Sequence, residues 1–142
     1  MADSFNLERF IQAQNDVIDS VRAELRNGYK SGHWMWFIFP QMRGLGSSWM
    51  ANHYAISSRY EGDAYLSHHT LGPRLIECAE LVNLVEGRSV VEIFGHTDSL
   101  KFRSSMTLFA ALNGSAAVFS RALEKYFAGA PDRRTLSLLE GA

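Results

Sequence analysis

One cysteine, three prolines and no surplus of charge of either sign mark this 142-residue chain. With Cys78 alone, an internal disulfide framework and a thiolate-rich zinc site are both excluded, which fits a reducing, cytoplasmic setting. The 14 Lys and Arg residues against 15 Asp and Glu leave no basic stripe, so neither nucleic acid nor an anionic membrane is the expected main partner. Any anion site must be local. No run approaches the roughly 18 apolar residues of a membrane span, and Met1–Asn6 lacks the basic and apolar regions of a leader, so the chain reads as soluble and unprocessed. His33, His53, His68, His69 and His96 show no His-x-x-x-His spacing, and no Cys-x-x-Cys is present, so no metal site and no cofactor is expected.

What is there is apolar and helical. A hydrophobic content of 46% on one chain of this length allows a single core, read as one compact domain over residues 1–142. From Leu7 to Leu25 the residues Leu7, Phe10, Ile11, Val17, Ile18, Val21 and Leu25 form one stripe at about 100° per residue, predicting a continuous helix capped by Ser4 or Asn6 and ended by Gly28. His33–Phe39 is too apolar for periodicity to decide; Ser31 before it and Pro40 after it favour a short helix. A short helix follows through Trp49, Met50 and Tyr54, and another over Asp63–Ser67. Leu71, Leu75, Cys78, Ala79, Val82 and Val85 predict a helix with Pro73 in its first turn. Ser89 and Glu92 form a capping box before Val90–Phe94; Thr97 or Asp98 caps a helix to Asn113, Ser115 caps one through Phe127, and Asp132 caps a last one. The expected fold is all-α, with about six to eight helices.

The stretch Lys30–Ser48 joins an aromatic block to a loop jointed by Gly44 and Gly46, and it reads as one wall of a pocket. Its glycines permit positive φ, so the amides of Leu45–Ser48 are candidates for an anion nest at a helix start, although a structural turn fits the same pattern. It is not a Walker A loop, because the Gly-x-x-x-x-Gly-Lys spacing is missing. Gln14 falls inside the apolar stripe of the first helix, either as a buried amide satisfied by another segment's backbone or as a ligand contact. Lys101 and Ser105 lie on the buried side of their helix. Lys101 either snorkels past the core edge or, with Ser104 and Ser105, faces a cavity suited to phosphate or carboxylate.

Taken together, Phe10, Ala13-Gln14, His33-Trp34-Met35-Trp36-Phe37-Ile38-Phe39-Pro40-Gln41, Gly44-Leu45-Gly46-Ser47, Leu71-Gly72-Pro73-Arg74-Leu75, Ile93-Phe94-Gly95, Lys101 and Ser104-Ser105-Met106-Thr107-Leu108-Phe109 resemble the bacterial family called domain of unknown function 1810. That resemblance spans nearly the whole chain and implies a small, mainly helical fold with no settled activity. Where the family has His-Pro after a Tyr-Leu pair, this chain has Tyr65-Leu66-Ser67-His68-His69. More distantly, the Ala13-Gln14 helix, the aromatic block and the lysine helix are similar to NADAR proteins, a likeness that implies cleavage of N-glycosidic bonds in ADP-ribose-type nucleotides. The acidic residue those enzymes place near their aromatic block has no counterpart there.

Two functions are expected from these features. In the first, a phosphorylated or nucleotide-like small molecule is held, and an N-glycosidase-type hydrolysis is its reaction. Trp34 and Trp36 supply stacking faces, and Gly44, Gly46 and Ser47 with Lys101, Ser104 and Ser105 hold the anion. Gln14 and Gln41 orient the ligand, and His33 carries the proton because its unperturbed pKa lies near neutrality. In the second, the aromatic block is plain core and a helical module binds another protein or a second copy of itself as a homo-oligomer.

Overall fold

The structure, a computed structural model, describes residues 3–141. Among them the regular structure is helical throughout: α1 Glu8–Asn15, α2 Ile18–Arg26, α3 Met35–Ile38, α4 Trp49–His53, α5 Arg59–Ser67, α6 Leu71–Leu84, α7 Val90–Phe94, α8 His96–Ala110, α9 Ala117–Phe127 and α10 Arg133–Gly141. The all-α expectation stands, but ten helices replace the expected six to eight. No helix among the described residues is long and apolar enough to cross a membrane.

Much of the difference lies at the first helix. The apolar stripe of Leu7–Leu25 is real, yet the backbone breaks at Asp16-Val17, where Val17 has φ −126° and its amide bonds back only to Gln14 O at 3.0 Å. Asn15 and Asp16 are weak helix formers facing solvent, so little is lost by the break. It lets α1 pack on α3 while α2 packs on α6. The cap is also different: Asp3, not Ser4 or Asn6, accepts the amides of Leu7 at 2.7 Å and Glu8 at 2.9 Å. Those bonds hold the Asp3 carboxyl below the usual carboxylate range.

Helix α8 is the axis of the molecule, packed by α5, α7, α9 and α10. Its first turn is open to solvent apart from Ser99, whereas Ser104–Phe109 is buried all round, Ser105 and Thr107 included, and its start is set by Gly95 at φ +82° rather than by a Thr97 or Asp98 side chain. Phe102 and its neighbours make the aromatic centre: Phe39 meets it edge-on at 5.0 Å and Phe94 stacks on it at 4.9 Å. A second aromatic group joins Phe10, Tyr65, Phe109 and Phe119 on the other side. The capping box Ser89-Glu92 forms as read from sequence. Ser31 and Ser115 cap nothing: α3 and α9 have no side-chain cap. The Ser31 and Gly32 amides instead bond Glu24 Oε1 at 2.7 and 2.9 Å.

Gln14 proves to be a core tie. It is 1% exposed, and its amide donates to Phe37 O at 2.7 Å and Tyr65 OH at 3.0 Å while accepting from Arg74 at 3.3 Å. Helices α1, α3, α5 and α6 meet at this one side chain. The turn from Tyr65-Leu66-Ser67-His68-His69 into α6 is made by His68, whose Nδ1 accepts the amides of Thr70 at 3.0 Å and Leu71 at 3.3 Å.

Gln14→Ala leaves a buried carbonyl and a phenol unpaired, and we expect it to cost about 2–3 kcal/mol in denaturant unfolding. His68 can accept only when unprotonated; desolvation first, then the neighbouring His69, lower its pKa from the ordinary 6.5. The folded state therefore holds this proton less tightly than the unfolded chain. Its stabilisation is complete above pH 6.5 and fades as pH falls through the lowered folded-state value. Thermal midpoints measured against pH should decline on that acid limb. His68→Ala should remove about 1 kcal/mol at neutral pH and flatten the limb.

Candidate functional site

The loop that carries the paired glycines is pinned at both ends. An isolated parallel bridge joins Met42 to Ile56, with Arg43 N to Ile56 O and Ile56 N to Gln41 O both at 2.9 Å. Gly44 adopts φ +103°, and its carbonyl accepts Arg134 Nη2 from α10 at 2.9 Å. Gly46 is required for space, since a Cβ there would lie 2.6 Å from the Cβ of Ala51. The start of α4 is closed from within, because Ser48 Oγ accepts the Ala51 amide at 3.1 Å.

Between this loop and the first turns of α8 and α10 lies a cleft of about 280 Å³. Gln41, Leu45 and Gly46 form one side, Thr97, Leu100, Lys101 and Ser104 the second, and Asp132 and Arg134 the third. Gln41 and Lys101 also line a recess of only about 10 Å³, room for one water-sized group, walled by Met35, Trp36, Phe39, Ala51 and Tyr54. The Lys101 ammonium sits 5.1 Å from the Trp36 ring centroid and 3.8 Å from Asp98 Oδ1, too far for a hydrogen bond. Among the described residues, neither it nor the Gln41 amide has a protein hydrogen-bond partner.

Asp132 is divided between structure and cleft. Its Oδ2 accepts Ser104 Oγ at 3.2 Å, Thr135 N at 3.1 Å and Thr135 Oγ1, capping α10 and joining it to α8. Oδ1 takes none of these bonds. The cleft therefore holds two cations, one amide and one half-used carboxylate, a set suited to an anion that also carries hydroxyl donors.

Of the residues read from sequence, Trp36, Gln41, Gly46, Lys101 and Ser104 come together here. The others do not. His33 is exposed and lines neither cleft nor recess, because it precedes the buried turn α3 on the outer side of the chain. Trp34 is 2% exposed, and its indole donates to Glu24 Oε1 at 3.1 Å, so it offers no stacking face. Gln14 belongs to the core, Gly44 gives its carbonyl to Arg134, and Ser47 faces solvent. Ser105 is fully buried with an unpaired hydroxyl. Asp132 was legible only as a cap and Arg134 not at all; the one signal for it was an arginine two residues after a capping aspartate.

A larger groove of about 400 Å³ lies beside Arg9, Arg43, Asn52, His53, Ser57 and Glu61. Its floor is satisfied internally. Arg9 spends all five donors on Phe5 O, Asn6 O, His53 O, Ala55 O and Glu61, and Glu61 Oε1 is held by the Ser57 amide and hydroxyl. Its chief polar groups are engaged in holding the fold, which distinguishes it from the cleft. Desolvation raises the buried Cys78 thiol to about 12, so it is not a nucleophile at neutral pH. Among the described residues no group of three or more His, Cys, Asp or Glu is placed to hold a metal ion.

No curated protein matches the chain. A solved structure does: the crystal structure of the conserved hypothetical protein Rv1873 from Mycobacterium tuberculosis is similar at 57% identity and a TM-score of 0.95, over 97% of this chain and 99% of that one. The model of the family described as "Protein of unknown function (DUF1810)" matches residues 4–139. The chain belongs to that family.

Proposed function

We propose that the cleft between α8, α10 and the 41–46 loop binds a small phosphorylated, hydroxylated molecule, a sugar phosphate or mononucleotide. The observation that carries this reading is the presence, in one cleft, of an ammonium on Lys101 and a side-chain amide on Gln41 that make no protein hydrogen bond among the described residues, the nearest carboxylate lying 3.8 Å from the ammonium. Lys101 and Arg134 take the phosphoryl oxygens from two sides, and Gln41 orients the ligand. Asp132 Oδ1 accepts a sugar hydroxyl. The matching reaction is N-glycosidase-type hydrolysis, in keeping with the distant NADAR resemblance. The C–N bond breaks, water supplies hydroxide to the anomeric carbon, and the remaining proton goes to the departing base nitrogen. Asp132, rather than the exposed His33, is the group whose negative charge stabilises the positive sugar carbon as that bond opens.

A second reading, a non-enzymatic module binding another protein or its own copy, is favoured by one feature. Trp49 is 69% exposed and stacked on His53 at 4.5 Å, an indole face without a cover.

Thermal shift and calorimetry with ribose 5-phosphate, adenosine monophosphate and inorganic phosphate separate the two. Ribose 5-phosphate or the nucleotide at a hundredfold excess over Kd should stabilise the protein by about 2.7 kcal/mol. Lys101→Ala and Arg134→Ala should each weaken binding about tenfold or more, and His33→Ala should leave it unchanged. Absence of any response in the wild-type protein refutes the small-molecule reading and leaves the module.

A further inference from the structure

The carboxylate of Asp98 lies between two ammonium groups and serves them unequally: Oδ2 is 2.8 Å from Lys30 Nζ, whereas Oδ1 is 3.8 Å from Lys101 Nζ. The Lys30 side chain is only 8% exposed, donates to Gly32 O, and stands 5.0 Å from the centre of the Trp34 ring. Its own amide is fastened to Ile93 O at 2.8 Å, which fixes the backbone from which the ammonium reaches Asp98. A buried ammonium deprived of its carboxylate is costly, and the pair therefore stays closed. Asp98 is thereby prevented from closing on Lys101. Trp36 steadies the Lys101 ammonium through its ring face, a contact that uses none of its three N–H donors.

Resting on the proposed anion cleft, we propose that Lys30 is a positioning residue that acts through Asp98, holding that carboxylate away and leaving the Lys101 ammonium placed and free to bond an incoming phosphoryl group. Lys30 lines neither the cleft nor its recess. The other charges facing Lys101 across the cleft are Asp132 and Arg134, and both are engaged on α10 or the glycine loop. Lys30 is thus the group that decides which ammonium Asp98 serves.

A double-mutant cycle tests it, with ribose 5-phosphate as the probe. Lys30→Gln should weaken binding about three- to tenfold in the native background, and Lys30→Arg should restore it. In an Asp98→Asn background the same Lys30→Gln change should have no effect, because the carboxylate it controls is gone. An equal loss in both backgrounds means that Lys30 acts only as a distant positive charge, and it overturns the proposal. A readout without ligand stands beside this one: proton exchange of the Lys101 ammonium, followed by nitrogen-15 NMR, should slow in Lys30→Gln as Asp98 closes on it. Unchanged exchange overturns the proposal even where the double variant does not fold. Wild-type protein that binds no probe at all refutes the cleft reading, and the exchange measurement then decides the role of Lys30 alone.

Discussion

Arg9 is the side chain on which the placement of the loops depends. Its guanidinium presents five donors in a rigid fork, and each finds an oxygen: two in the N-terminal turn, two in the chain that leaves α4, and one on Glu61 at 2.8 Å. Asn6 takes φ +53° at that turn, where its carbonyl faces the arginine. Breaking a buried pair of this kind costs about 3–5 kcal/mol, because the remaining carboxylate is left without its counter-charge. The consequence reaches the cleft by a short route. Arg9 holds Ala55 O, and the next residue, Ile56, exchanges backbone bonds with Gln41 and Arg43, so the arginine sets the register of the strand-like segment that presents Gln41.

Helix α8 supplies the opposing wall, and its composition explains why a cleft can exist there. A helix surrounded by four others would ordinarily be apolar throughout, yet this one carries serines and a threonine inside the fold. Ser104 Oγ shares its proton between Leu100 O at 3.1 Å and Asp132 Oδ2 at 3.2 Å, while Thr107 Oγ1 donates to Arg103 O at 2.8 Å and accepts the Asp132 amide at 2.9 Å. Those bonds draw the start of α10 onto α8 and bring Arg134 to the rim. Phe102, one residue from Lys101, anchors the same turn in the aromatic centre. The lysine is thus carried by a rigid element to the core edge, where a ring face and a distant carboxylate leave its donors unspent.

Part of this was readable along the chain and part was not, and the division follows sequence distance. Capping by Ser89 and Glu92, the helical stripe of α6 and the tightness of the turn at Gly46 each depend on residues within a few positions of one another. Gln14 was recognisable as out of place on an apolar face, but its sequence could not say whether a ligand or Phe37 O would satisfy it. His33 was singled out for its side-chain chemistry; its exposure follows from how α3 packs beneath it, which composition does not encode. The break at Asp16-Val17 escaped because both halves keep one apolar period, and the choice to bend belongs to their separate partners, α3 and α6.

By itself, then, the amino-acid order determined a helical chain with a single core, the positions of several helix ends, and a lysine on the inner side of its helix. These follow from backbone hydrogen bonding and side-chain periodicity, which act over one or two turns. Only the tertiary structure decided that Gln41, Lys101, Asp132 and Arg134 share a cleft while His33, Trp34 and Gln14 do not. That outcome rests on bonds between segments far apart in the chain, chiefly Arg9 to the residues after α4 and Ser104 to Asp132, and on which polar groups those bonds leave unsatisfied.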